Sequence, residues 1–269
     1  MKPDLVYVLK DGTGENWEFR QSLALAHRFL KNHGRLVVVT DRLPFFLDPE
    51  QVLHVEETDR EHVKDANIFN KVLAACRDPR VSPDFLFLND DHFMVSETDA
   101  AAFPDFHKGP LPKPNERIHN TYQRRLMATG KILREMGLPF LNYDVHTPII
   151  YNKEKFLEVG KAFGTVYRKA LGMVVKSAYG NYWRVGGLQI DDLKFYHPMR
   201  RDELVRRIEG RLCFSTADNC RSRALTGLLR ELGGDDPPPW TGQQMTPSAD
   251  AESIAAREEG PPSMGAVIH

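Results

Sequence analysis

The sequence predicts an α/β fold with a mostly parallel central sheet. Three nearly continuous apolar runs, at residues 4–9, 36–40 and 85–88, indicate strands that are buried on both faces. Stretches with helical periodicity separate these runs, at residues 18–32 and 65–75. Because parallel strands need a crossover connection, which is usually a helix, this alternation favours a parallel sheet flanked by helices.

The first half of the chain supplies most of the predicted sheet. The helix at residues 18–32 carries an apolar face that includes Leu23, and Gly34 is a suitable stop signal for it. A short strand is predicted at residues 52–55. The helix at residues 65–75 then leads, through a proline-containing turn, into the apolar run that begins at residue 85.

The second half carries weaker patterns, which still divide it into segments. In chain order we predict a Pro/Asp/Gly-rich loop crossing the mouth of the sheet at 96–114, a basic amphipathic helix at 122–136, an irregular segment at 142–151, the start of a helix at 153–159, an aromatic and polar segment at 176–184, a late strand at 212–216 and a closing helix at 221–232.

Composition places the chain among ordinary globular proteins. Hydrophobic residues make up 41% and charged residues 27%, and the formal net charge of −1 provides no general attraction for nucleic acid or anionic membranes. The three cysteines are scattered and suggest neither a disulfide framework nor a zinc site. No apolar run approaches the ~20 residues that span a bilayer, and no signal-peptide layout is visible, so we expect a cytoplasmic protein.

The domain organisation is predicted from a change in composition near residue 234. Residues 1–234 have the apolar content of one folded domain. Residues 235–269 contain a triple proline and few large apolar residues, so we predict a disordered tail.

An acidic turn follows the apolar run at residues 85–88. It contains Asn89, Asp90 and Asp91, at the carboxyl end of a predicted buried strand, which is where open α/β sheets bind ligands. Mg²⁺ and Mn²⁺ prefer oxygen ligands, often one or two carboxylates completed by substrate phosphates. The turn therefore predicts a metal-assisted site for a diphosphate-containing substrate. The alternative is an acidic turn that only ends the strand.

Other candidate site residues lie near predicted strand ends. Asp11 and Gly12 belong to a glycine-containing turn after the first strand, which is either a phosphate-binding loop or a plain turn. Arg20 has two open roles, contact with a diphosphate or a structural pairing with Asp41. His146 is either a catalytic base or a structural histidine.

Five short pieces, in the same order and over roughly residues 4–160, resemble the Stealth family of sugar-phosphate transferases and related bacterial and phage glycosyltransferases. These pieces are Asp4-Leu5-Val6-Tyr7 with Asp11-Gly12, Glu18-Phe19-Arg20 with Ser22-Leu23, Val38-Val39-Thr40-Asp41 with Pro44 and Leu47, Phe69-Asn70-Lys71 with the 85–93 run, and His146-Thr147-Pro148.

The resemblance implies a GT-A-like nucleotide-sugar fold, a UDP-sugar donor and transfer of sugar-1-phosphate to a carbohydrate hydroxyl. It implies that Mg²⁺ or Mn²⁺ is held by an acidic pair, that a histidine acts on the acceptor side, and that an arginine with a following acidic residue completes the site. Mapped on this chain, the catalytic residues are His146, Asp91 and Arg184, the metal ligands are Asp90 and Asp91, and the substrate-binding residues are Asp11, Gly12, Arg20, Asp41, Asn89 and Asp191. The acidic residue after Arg184 is Asp191 or Asp192, at a looser spacing than the family pattern.

Two other functions remain open on the sequence. The first is an ordinary glycosyltransferase on the same scaffold, whose acceptor is a polysaccharide or modified phage DNA. The low net charge disfavours nucleic acid, although the basic helix at 122–136 leaves it open. The second is a non-catalytic carbohydrate-binding protein. If His146 is structural, the base must be sought among Asp144, Asp191 and Asp192.

Overall fold

A computed structural model describes residues 2–12, 16–115, 117–169 and 171–242 of the chain. The strands are β1 (Asp4–Val8), β2 (Leu30–Lys31), β3 (Leu36–Thr40), β4 (Val52–Glu56), β5 (Asp84–Leu88), β6 (Phe93–Met94), β7 (Thr98–Asp99), β8 (Phe106–His107), β9 (Ile149–Asn152), β10 (Leu188–Gln189), β11 (Lys194–Phe195) and β12 (Cys213–Thr216). The α-helices are α1 (Trp17–Phe29), α2 (Lys64–Arg77), α3 (Thr121–Glu135), α4 (Lys153–Tyr167), α5 (Val175–Tyr182), α6 (Arg201–Ile208) and α7 (Arg223–Gly233).

The central sheet has five strands in the order β4-β3-β1-β5-β9. The first four are parallel to one another, and β9 pairs antiparallel with β5. This arrangement confirms the predicted α/β class with a parallel-rich sheet. It also places β5 inside the sheet, as the apolar run at residues 85–88 predicts.

Both faces of the sheet are covered, which explains why its strands lack polar alternation. Along β1, Leu5 and Tyr7 belong to a core with α1 and α7, whereas Val6 and Val8 belong to a second core with α2, α4 and α5. Successive strand residues point to opposite faces, so each strand must be apolar throughout.

A small mixed sheet joins the last third of the chain to the end of β5. Its strand order is β11-β12-β6, with β12 antiparallel to β6 and parallel to β11. Because β6 follows the acidic turn directly, this pairing brings β12 and, beside it, β11 close to that turn. The sheet therefore positions the functional site.

Several predicted boundaries differ from the structure. The first helix ends at Phe29 rather than near residue 32, because Leu30–Lys31 pair with Thr98–Asp99 as a short parallel ribbon. The loop predicted at 96–114 contains β7, a 3₁₀ turn and β8. Helix α6 and strand β9 were not predicted.

Helix α5 also escapes sequence analysis, and its packing explains why. Its buried residues include the polar Lys176, Ser177 and Asn181, so it shows no simple apolar stripe. Gly180 lies against Tyr143, where an added Cβ would come within 2.7 Å of the tyrosine ring. A glycine, normally unfavourable in a helix, is required there for close packing.

The predicted boundary of the tail needs correction. Residues 238–242 pack on the domain, and Trp240 is buried with its ring beside the rings of His27 and His33. The Asp48 N–H donates to the Trp240 carbonyl, and Thr241 forms a bridge with Leu47. The folded part thus extends to residue 242, and the rest of the predicted tail, 243–269, lies outside the described residues.

Among the described helices, none combines the length and apolar character needed to cross a membrane.

Candidate functional site

The acidic turn joins β5 to β6 and is braced from within. The Asn89 N–H donates to His92 Nδ1 at 3.2 Å, and the His92 N–H donates back to the Asn89 carbonyl at 3.2 Å. Burial lowers the pKa of His92 well below its ordinary value, so this imidazole is neutral and serves as an acceptor. Ser22 of α1 donates to the His92 carbonyl at 2.6 Å, which ties the turn to the first helix.

Asp90 faces the start of α1. Its Oδ2 accepts a hydrogen bond of 2.6 Å from the Asn16 side chain, whose own oxygen caps the helix through the Phe19 N–H. Burial, and then the charge of Asp91, raises the pKa of Asp90. The loop after β1 and the acidic turn after β5 therefore meet at this carboxylate.

Asp91 contacts the mixed sheet. Its Oδ2 lies 3.2 Å from Lys194 Nζ, on β11. The Lys194 side chain is 18% exposed, so it is partly open to solvent. Sequence analysis missed Lys194, because a lysine in a charged, weakly patterned region looks like an ordinary surface residue.

Glu18 is a third carboxylate near the acidic pair. Its Oε1 accepts a hydrogen bond of 2.8 Å from Thr216, at the end of β12. Burial raises the pKa of Glu18 to about 7, and the charges of Asp90 and Asp91 contribute, despite the opposing Thr216 hydrogen bond. The site thus concentrates negative charge that is only partly compensated. Glu18 lies within a quoted motif but was not predicted as a site residue.

His146 forms a dyad with Asp192. Its Nδ1–H donates to Asp192 Oδ2 at 2.6 Å, and its backbone N–H donates to Asp192 Oδ1 at 2.9 Å. Lys108 Nζ lies 2.7 Å from the same carboxylate. Burial alone would raise the pKa of Asp192, but His146 and Lys108 outweigh it and hold the pKa well below its usual range. Because a carboxylate only accepts hydrogen bonds, Nδ1 of His146 carries a proton, and in the neutral ring Nε2 is the acceptor nitrogen.

One short stretch holds both halves of the site. Asp192 contacts His146, and Lys194, two residues later, contacts Asp91. Two residues span at most about 7 Å of backbone, so one short segment contacts both the dyad and the acidic turn. Cys213 adds a second link, since it pairs with Met94 of β6 and its Sγ lies 3.8 Å from the His146 carbonyl.

Lys176 fixes the backbone on both sides of His146. Its Nζ donates to the Val145 carbonyl at 2.8 Å and to the Thr147 carbonyl at 2.6 Å. Burial lowers the pKa of Lys176 to about 8, with partial compensation from Asp144 and Asp192. This buried lysine orders the H-x-P segment.

A separate cluster secures the loop after β1. Lys71 Nζ contacts Asp11 at 2.7 Å, Asp59 at 2.8 Å and the Leu9 carbonyl at 2.6 Å. The Asp59 N–H and the Asp11 N–H each donate to the other residue's carboxylate. Gly12 then has a φ of +70°, which favours glycine at this turn. Asp11 is thus held as a structural partner of Lys71.

Arg20 and Asp41 occupy the adjacent strand end. The guanidinium of Arg20 lies 3.9 Å from the Phe46 ring centroid and 5.4 Å from that of Phe45. Asp41 Oδ1 accepts a hydrogen bond of 3.2 Å from the Thr40 hydroxyl. Arg20 thus stacks on aromatic rings, which neither predicted role anticipates.

The structure does not bring Arg184 to the acidic turn. Arg184 follows Trp183, whose indole N–H donates to the Lys155 carbonyl at 3.0 Å. Lys155 lies just beyond the end of β9, which pairs with Asp84 at the start of β5. A five-residue strand spans about 13 Å, so Arg184 lies toward the opposite edge of the sheet.

The other acidic candidates after residue 140 fill different positions. The Asp191 carbonyl accepts from Arg211, and the residue lines a cavity beside His146. Asp144 Oδ2 accepts a hydrogen bond of 2.5 Å from the Tyr122 hydroxyl. Of the three proposed substitutes for His146, Asp192 is the one that contacts it.

The donor set can be compared with what a divalent cation needs. Across the described ranges, no group of three or more His, Cys, Asp or Glu side chains forms a ready metal site. Two carboxylates completed by substrate phosphates remain a common arrangement for Mg²⁺. Burial, with a smaller contribution from neighbouring carboxylates, raises the pKa of Asp90 and Glu18, and a cation would stabilise their charged forms, so the residues present fit such an ion.

The chain was compared with protein families, curated protein sequences and solved structures. No protein-family model and no curated protein sequence matches the chain. Among solved structures it is similar to the apo form of the glycosyltransferase GlyE from Streptococcus pneumoniae TIGR4, with a TM-score of 0.44 and 9% sequence identity. The match covers 88% of this chain and 61% of the pneumococcal chain. A likeness this distant supports no inference about activity.

Proposed function

We propose that this chain is a metal-dependent transferase that takes sugar-1-phosphate from a UDP-sugar and delivers it to a carbohydrate hydroxyl. The observation that supports the proposal is the stretch from Asp192 to Lys194, in which Asp192 contacts His146 and Lys194 contacts Asp91 of the acidic turn. Phosphoryl transfer to a hydroxyl requires a base close to a centre that binds the negatively charged phosphate.

On the donor side, Asp90 and Asp91 would hold Mg²⁺ or Mn²⁺ together with the diphosphate, with Asn89 shaping the turn. The ion supplies charge neutralisation at the phosphate oxygens. Gly12, on the loop that Asp11 anchors, is assigned to approach the phosphates through its backbone. We assign Arg20 and Asp41 to the edge of the donor site, at the end of β3.

On the acceptor side, His146 is assigned as the base. The acceptor hydroxyl attacks the β-phosphorus, its proton moves to His146 Nε2, and the bond from that phosphorus to the bridging oxygen breaks to release UMP. Asp192 keeps the proton on Nδ1 and stabilises the imidazolium that forms. Lys108 and Lys176 position this dyad from either side.

Lys194 takes the phosphate-contacting role first given to Arg184. Its side chain is partly exposed, and its Nζ already contacts Asp91. When a cation and a diphosphate occupy Asp91, the same group can turn to a phosphate oxygen, where negative charge grows during transfer.

The leaving nucleotide tests the proposal. The chain is incubated with UDP-GlcNAc or UDP-glucose and Mn²⁺, with candidate glycoside acceptors, and the released nucleotide is identified. UMP supports sugar-phosphate transfer. UDP would instead show transfer of the sugar alone, by attack at the anomeric carbon on the same scaffold. Release of neither, although the donor binds, would favour a carbohydrate-binding protein.

A further inference from the structure

A cavity of about 330 Å³ opens beside His146. His146 and Thr147 form one end of its wall, next to the Asp192 dyad. The remaining wall comes from the β8–β10 ribbon, from Leu193 and from the segment that leads into β12. Its volume lies within the roughly 300–1,000 Å³ typical of small-molecule sites.

The wall of this cavity is mainly apolar. Leu188 pairs with Phe106 in the β8–β10 register, and Ile190 follows two residues after Leu188, so it projects from the same face of the ribbon. Leu188 is 63% exposed, so it adds accessible apolar surface to the rim of the cavity. Leu193 and Leu212 complete the apolar wall.

Polar groups are concentrated at two points of the cavity. One is His146, whose side chain is 21% exposed and carries the free acceptor nitrogen. The other is Asp191 with Arg211, whose guanidinium donates to the Asp191 carbonyl at 3.4 Å. A ligand that fits must present a hydroxyl to the base and an apolar group to the ribbon.

We propose that this cavity is the acceptor subsite, and that it takes a glycoside whose sugar is attached to an apolar aglycone. The inference rests on the proposed function, because it uses His146 as the base. The occupant is a sugar hydroxyl at His146 with an alkyl or aryl group on Phe106, Leu188 and Ile190, rather than a stretch of polysaccharide. A fully polar acceptor would leave this apolar wall in water.

The test compares methyl β-glucoside with octyl β-glucoside, and the matching N-acetylglucosaminides, by calorimetry below the micelle-forming concentration. For at least one of the two sugars, the octyl compound should bind wild-type protein at least about 10-fold more tightly, an increment that burial of two methylene groups supplies. Leu188→Asp should remove that preference. Because Leu188 is largely exposed, this substitution leaves the core intact.

Val205→Asp is the matched control, since Val205 is also an exposed apolar residue, on α6 and away from the cavity. It should retain the octyl preference. Equal binding of methyl and octyl compounds, or a preference that survives Leu188→Asp, would overturn the proposal. So would a wild-type dimer that Leu188→Asp converts to a monomer, because a second copy would then cover the ribbon.

Nucleotide release from the donor without acceptor separates this proposal from the proposed function. Wild type and the control Val205→Asp should release the nucleotide at the same rate. Release that is absent in both would count against the transferase assignment, whereas the glycoside affinities would still decide the nature of the cavity.

Discussion

Two lysine–carboxylate clusters lie at the same edge of the central sheet, and they differ in how completely they are satisfied. Lys71 is 2% exposed and contacts Asp11, Asp59 and the Leu9 carbonyl within 2.8 Å. Lys194 is 18% exposed and rests on Asp91 at 3.2 Å. We call the first the closed cluster and the second, with Asp90, Asp91 and Lys194, the open cluster.

This difference in hydrogen bonding favours a structural role for the closed cluster and the proposed ligand-binding role for the open cluster. An ammonium group has three donors, and in the closed cluster all three are used, so Lys71 has no donor left for a ligand. In the open cluster the carboxylates crowd one another, and Asp90 and nearby Glu18 have raised pKa values. The closed cluster therefore fixes two loops, and the open cluster retains charge that a cation and substrate can satisfy.

The largest effect on turnover is expected at His146, the proposed base beside the open cluster. His146→Ala should lower turnover by about 10³-fold, within the range for loss of general base catalysis, while donor binding stays nearly intact. Steady-state kinetics and calorimetry measure the two quantities. His62→Ala, at an exposed histidine, is the control. Full activity of His146→Ala would place the base elsewhere.

The closed cluster should respond in stability. Lys71→Met leaves Asp11 and Asp59 without their cation, and breaking a buried pair costs about 3–5 kcal/mol. Those carboxylates are 23% and 22% exposed, so water reaches them and a loss near the lower end, about 3 kcal/mol, is expected. Urea unfolding measures it, with the exposed Lys161→Met as control. Unchanged stability would erase the distinction between the clusters.

Asp91→Asn tests the open cluster with little change of shape. Activity should fall about 10²-fold, on the scale of losing one key electrostatic group, while stability stays nearly constant. Asp84→Asn is the matched control, because Asp84 is the first residue of β5 and the acidic turn follows the other end of that strand. If both substitutions had equal effects on activity, the acidic turn would have no special role.

The smallest effect concerns the pH dependence of stability. The pKa of Glu18 is raised from 4.5 to about 7. Its contribution to the free energy of unfolding is therefore fully present below pH 4.5 and is lost as the pH rises through about 7. Glu18→Gln removes that loss and keeps a hydrogen bond to Thr216. The variant should be more stable than wild type at pH 8, by about 1 kcal/mol because partial exposure weakens the effect. If the free energies of unfolding of wild type and Glu18→Gln changed in parallel from pH 4 to 8, the pKa of Glu18 would not be raised.

The sequence predicted the parts of the fold whose burial is simplest. Strands β1, β3 and β5 are apolar on both faces, and their runs stand out without any tertiary information. Helix α5 was missed because Lys176 and Asn181 are buried within it and satisfied by distant carbonyls. A pattern of apolar residues cannot show that a lysine has found acceptors elsewhere in the chain.

The site was predictable only where its residues are close in sequence. Asn89, Asp90 and Asp91 are adjacent and were singled out from the strand that precedes them. The contact between His146 and Asp192 joins residues 46 positions apart, and that between Asp91 and Lys194 joins residues 103 apart. Both depend on how the mixed sheet pairs. Arg184 was assigned to the site for lack of that information.

Binding of nucleotides to the open cluster tests the central claim most directly. UDP, GDP and CDP are titrated by calorimetry into wild type, Asp91→Asn and His146→Ala, each with Mn²⁺ and with EDTA. We predict that UDP binds wild type and His146→Ala alike in Mn²⁺, and at least about 10-fold more weakly in EDTA or to Asp91→Asn, because the charge that Asp91 supplies is lost. Nucleotide binding that is indifferent to both Mn²⁺ and Asp91→Asn would contradict the claim.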